Sequence, residues 1–205
     1  MMMGCVFSSV AQTDENLQIA REKVKLSTLP FACVKCTPYE SPVQSFVKTI
    51  NSGSPIFTYR DLNSSKKNSN EERFCSIFRW FNLEKSDCQL LVASVNRNIT
   101  TRQFFVSYKN DKEVDCLECA TYSNDDIVMK QWKINENEQI MISELQIKEN
   151  RSILFEEEFA SVKAQRVDTF YKVDQQGKFK KVKVQKYRIQ DYSREYLMDK
   201  VRNIW

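Results

Sequence analysis

Histidine is absent from all 205 residues, and that absence closes a large group of reactions at once. Ser-His-Asp and Cys-His nucleophile arrangements have no base, and no histidine-containing zinc site can form. Carboxylate, lysine and all-cysteine chemistries stay open. Glycine is almost as scarce, with three in the chain, so a glycine-rich loop that cradles phosphate is excluded. No apolar stretch approaches the roughly 20 residues needed to cross a bilayer. The start of the chain has no cationic region followed by a long apolar one, so no signal peptide is expected. The expected location is nuclear or cytoplasmic, not secreted, and the expected role is binding and not catalysis.

What is present argues for a folded chain: 41% hydrophobic and 12% aromatic residues, at a mean hydropathy of −0.53. Thirty-one Lys and Arg against twenty-seven Asp and Glu leave a net charge of +4, and the excess is uneven. Lys178, Lys180, Lys181, Lys183, Lys186 and Arg188 crowd together, whereas 136–158 is dominated by carboxylates. The basic run is either a solvated strand face or a strip facing phosphates.

Along the chain, 1–28 reads as a flexible arm with one short helix over 14–25, placing Leu17, Ala20 and Val24 at helical spacing. Residues 29–190 read as a β domain. Short strands are expected at 43–50 and 55–62, and 74–81 is a buried strand or a helix face. Further β-rich runs cover 89–95, 104–108, 114–122, 139–147 and 152–155, separated by Asn, Asp and Lys turns. The Asn/Asp start and the Ile127, Val128, Trp132 spacing predict a short helix over 124–132. An alternating run over 178–189 precedes a C-terminal helix in 191–205, with Tyr196, Leu197, Val201 and Trp205 on one side.

Cys33-Val-Lys-Cys36 and Cys116-Leu-Glu-Cys119 are two pairs with a two-residue spacer among seven cysteines. Such a spacer lets both sulfurs of a pair turn to one point, and two pairs complete one tetrahedral structural zinc site. If the second pair lies in a strand, its spacing of three sends the two sulfurs to opposite faces and no site forms. The sequence is compatible with both.

The order of runs from 74 to 162, three strands, a short helix and a final hairpin, resembles the OB-fold family of single-strand binders, including replication protein A, telomere-end and meiotic types. Asn135-Glu-Asn-Glu138 and Lys148-Glu-Asn-Arg151 are similar to the turns around that family's fourth strand. The resemblance implies an antiparallel barrel and a non-enzymatic protein that binds single-stranded DNA or RNA, or a subunit of such a complex docking a partner through its C-terminal helix. Its groove would use Arg97, Arg102, Phe104, Tyr108 and Lys109, with Tyr122 and Lys130 nearby: rings for bases, cations for phosphates.

A second reading starts from Met3-Gly-Cys-Val-Phe-Ser8, which matches the myristoylation pattern at Gly4 with a palmitoylatable Cys5 beside it. It implies a lipid-anchored peripheral membrane adaptor of viral-matrix type. Ser54-Pro-Ile-Phe-Thr-Tyr-Arg-Asp-Leu62 resembles a segment of rhabdovirus matrix proteins in keeping with it.

Overall fold

The computed structural model describes residues 15–33, 75–97, 100–123, 127–150, 159–199 and 203–205. The expected strands at 43–50, 55–62 and 152–155 lie outside these residues. So do Gly4, Cys5 and Cys36. The described chain is mainly β. Helix α1 (Glu15–Lys23) and the short strand β1 (Phe31–Ala32) precede eight longer strands: β2 (Cys75–Leu83), β3 (Cys88–Arg97), β4 (Thr100–Lys109), β5 (Lys112–Ser123), β6 (Val128–Ile134), β7 (Ile140–Ile147), β8 (Ser161–Val173) and β9 (Phe179–Ser193). A five-residue helix, α2 (Arg194–Met198), follows.

Each of β2 to β9 pairs antiparallel with the next, and β1 adds to β6. This is a meander, and among the described residues no ladder joins β9 back to β2. Within the helix expected over 124–132, residues 128–132 belong instead to β6, so that part of the span is strand and β5 is followed by β6. The physical reason is period: Trp132 and Ile134 face the core while Gln131 and Lys133 do not, which is the alternation of a strand. The C-terminal helix does form, capped by Ser193, whose hydroxyl accepts from Tyr196 N at 3.2 Å, but it stops short of Trp205.

Trp132, fully buried, is the centre of the core. Phe31 stacks on it at 5.5 Å, and Phe105 and Phe81 meet it edge-on at 4.7 and 6.2 Å. Phe179 of β9 lies 6.4 Å from Phe105. Rings from five strands therefore converge, so the sheet curls until β2 and β4 face β6 and β9. Turn-to-turn bonds hold the curl at one end. Gln175 donates to Lys85 O, Lys85 N donates to Glu138, and Phe179 N donates to the Asp115 carboxylate.

The opposite face of β2 to β4 is also covered. Leu17 and Ala20 of α1 and Val24 just after it pack on Ile77, Leu91, Ala93, Phe104, Val106 and Tyr108, a second buried cluster. Trp80 Nε1 donates to Val24 O at 2.7 Å, and Arg21 pairs with Asp111 at 2.6 Å, which fixes the helix to the sheet.

Candidate nucleic-acid interface

The residues expected to line a groove on β4 and β5 are placed otherwise. Phe104 and Tyr108 are 2% and 1% exposed beneath α1, and Tyr122 is buried in the central cluster, its hydroxyl 3.7 Å from Cys33 Sγ. Their rings are core, since both faces of this half of the sheet are covered. The cations beside them are engaged. Lys109 Nζ donates to Ser86 O, Asp87 O and Asp87 Oδ2 at 2.8 to 3.0 Å, closing the β2–β3 turn. Arg102 pairs with Glu118 at 3.5 Å. Lys130 lies between Glu118 at 3.0 Å and Glu144 at 3.3 Å. Burial works against the Lys130 ammonium, but these two carboxylates outweigh it and hold its pKa above the usual value. Arg97 ends β3 opposite Thr100.

The cysteine pairs fare similarly. Cys119 belongs to the central cluster, whereas Cys116 packs on the α1 side, so the second pair divides between two clusters as a strand spacing of three requires. Burial, with Cys116 and Glu118 adding to it, pushes the Cys119 thiol well above its ordinary range. Cys33 is buried and donates to Gln103 Oε1 at 3.5 Å. Among the described residues no three Cys, Asp or Glu side chains come together to hold a metal ion. Cys36, the fourth expected ligand, lies outside the described residues.

Cations and rings meet instead on the face of β6 to β9 that points away from Trp132. Trp132, Ile134, Ile140, Ile142 and Tyr171 point inward. Alternation then turns Lys133, Met141, Phe170 and Lys183 outward. The register places these four directly opposite one another, Lys133 against Met141, Met141 against Phe170, and Phe170 against Lys183. Three inter-strand steps of about 4.8 Å make this row about 14 Å long. Lys183 Nζ lies 5.5 Å from the Phe170 ring centroid. Lys172 and Lys180, also directly opposite and both exposed, flank the row.

The neighbouring row on the same face is buried and polar. Ser143 Oγ and Tyr187 OH donate to Asp168 at 2.7 and 3.0 Å, and Arg166 bonds the same carboxylate at 3.3 Å while its guanidinium lies 3.7 Å from the Tyr187 ring centroid. Residues 203–205 cross beside it. Ile204 N donates to Gln131 Oε1 at 3.0 Å, Ile204 O accepts from Arg166 at 3.3 Å, and Lys133 Nζ sits 5.1 Å from the Trp205 ring centroid. Beyond β8, β9 pairs with no other described strand and carries five Lys or Arg against one Asp, with Val182, Val184 and Ile189 half-exposed among them.

The lysine run read in the sequence is thus a solvated edge strand continuous with a face bearing Phe170. Phe170, Lys133 and Trp205 as partners were missed. Their signal was the ladder register, which becomes available only once β6 and β8 are recognised as strands. No helix among the described residues is long and apolar enough to cross a membrane. No protein-family model, curated protein or solved structure matches this chain.

Proposed function

We propose that the protein is a non-enzymatic binder of single-stranded nucleic acid, and that the strand lies on the outward face of β6 to β9. The observation that carries this reading is the Lys133–Met141–Phe170–Lys183 row. It sets a partly buried ring beside Lys183 and Met141, with Lys172 and Lys180 alongside. A base stacked on an aromatic ring contributes about 1–3 kcal/mol whatever its identity, and lysines neutralise the backbone without reading sequence. The ligand class is the one the OB-fold resemblance implied; the groove is a different one.

The test is anisotropy of a fluorescein-labelled oligothymidylate between about 50 and 200 mM salt. Binding that weakens steeply with salt, weakens again in Phe170→Ala, and exceeds binding to the matching duplex supports the proposal. Absence of binding at about 50 mM salt, or equal affinity for the duplex, contradicts it. Stronger binding to vesicles of anionic lipid than to the oligonucleotide would transfer the same cations to the membrane reading.

A further inference from the structure

We infer that Trp205 is a second base-stacking ring of this interface, held in place by the side chains of β6 and β8. The inference rests on the single-strand reading above and adds a residue that lies in none of the strands forming the face.

The segment 203–205 is fixed at several points. Ile204 is 2% exposed, and both its backbone groups are bonded by side chains, Gln131 Oε1 at 3.0 Å and Arg166 Nη1 at 3.3 Å. Arg166 is itself oriented by Asp168, which Ser143 and Tyr187 hold in turn. Tyr196 OH donates to Asn203 O at 3.1 Å, so α2 fixes the other end of the segment. This is a continuous hydrogen-bonded frame.

The consequence of the frame is the position of the next residue. Trp205 is only partly buried, and its ring lies against Lys133, the first member of the outward row. Phe170 is two strands further along from Lys133, about 10 Å from it across the face. Met141, 7% exposed, forms the floor between them. Each ring has its own ammonium, Lys133 at 5.1 Å from the Trp205 centroid and Lys183 at 5.5 Å from that of Phe170. Two ring-and-cation units therefore repeat across the sheet. This arrangement suits a chain that presents bases and phosphates in turn. A duplex, whose bases stack on one another, offers no base face to either ring, so a second ring sharpens the preference for unpaired strands.

Three forms of the full chain, wild type, Trp205→Ala and Trp205→Phe, are titrated against labelled oligothymidylate and against an abasic strand of the same length. Removing a stacked ring is expected to weaken oligothymidylate binding about fivefold or more. Trp205→Phe is expected to restore most of it, and the abasic strand to bind all three forms equally, because it has phosphates and no bases. Equal oligothymidylate affinity for Trp205→Ala and wild type overturns the inference. Tighter binding by Trp205→Ala also overturns it, since the segment would then be covering the face. An equal loss on the abasic strand overturns it as well, because the ring would then act through Lys133 or the fold. In each of those cases a retained effect of Phe170→Ala leaves the single-strand reading standing, whereas failure of the wild type to bind either strand removes both.

Discussion

Strands β4 and β9 sit in the same meander and differ in almost everything that burial can measure. Six consecutive residues of β4, from Gln103 to Tyr108, are buried, whereas of the fifteen residues in β9 only Tyr192 is. Propensity does not account for this, since both strands are rich in β-branched or aromatic residues. The difference is cover. One face of β4 meets Trp132 and the rings around it, and the other meets α1. β9 has one strand neighbour among the described residues, and its length runs out over solvent. An aromatic residue in the first setting is core, whereas Phe170, on β8 beside the second, is only partly buried. Position in the sheet decides this, not residue type.

The sharpest way to break the comparison is to remove one ring from each region. Trp132→Ala opens a cavity at the point where five strands meet and is expected to cost about 3–5 kcal/mol, read as a fall in the urea midpoint. Phe170→Ala is expected to cost about 1 kcal/mol at most while weakening strand binding. Equal destabilisation by the two would mean that the outward face is as enclosed as the inner one.

A second contrast is between a lysine enclosed by two carboxylates and the solvated lysines of β9, where Lys180 makes an exposed pair with Asp174 at 3.6 Å and Lys183 donates to Gln185 Oε1 at 3.2 Å. Lys130→Ala leaves the Glu118 and Glu144 carboxylates without the cation between them, for an expected loss of about 1.5–3 kcal/mol. The pH dependence has a definite sign. The pKa of Lys130 is raised in the folded chain, so its contribution is fully present below the ordinary value of 10.5 and is lost as pH rises through the folded value. Urea midpoints measured from neutral to strongly alkaline pH should therefore fall more steeply for wild type than for Lys130→Ala. Parallel curves would show that the ion pairs contribute nothing.

Next in size is the β8–β9 turn. Gly177 has φ of +85°, and a Cβ there would lie 3.1 Å from Val114 Cγ2. Gly177→Ala is expected to cost about 1 kcal/mol or somewhat more, since left-handed backbone and close approach both oppose a side chain. An unchanged midpoint would mean that the turn moves freely relative to β5. The smallest expected effect on stability is that of Lys180→Gln or Lys183→Gln, within about 0.5 kcal/mol in either direction.

Much of this fold was legible from hydrophobic pattern. The runs at 89–95, 104–108 and 114–122 lie within β3, β4 and β5, the run at 139–147 contains β7, and the helix over 14–25 contains α1. The 178–189 run lies almost wholly within β9. β6 was misread because Lys130 occupies an inward position, where only its two carboxylates make a charge acceptable, so strand alternation looked broken. β8 was missed for a related reason: Arg166 and Asp168 satisfy each other and Tyr187 on a covered face, and nothing local announces that pairing. The site was legible only as a lysine cluster. Its rings come from β8 and from the segment after α2, and the register between four strands is a property of the assembled sheet.

The placement of the strand on this face is tested most directly by the salt dependence of oligothymidylate binding by wild type and by a chain carrying Lys172→Gln, Lys180→Gln and Lys183→Gln together. If these three lysines face phosphates, the slope of log affinity against log salt should become shallower by about 2, at an unchanged urea midpoint. Identical slopes and affinities for the two chains would contradict the placement of the strand on this face.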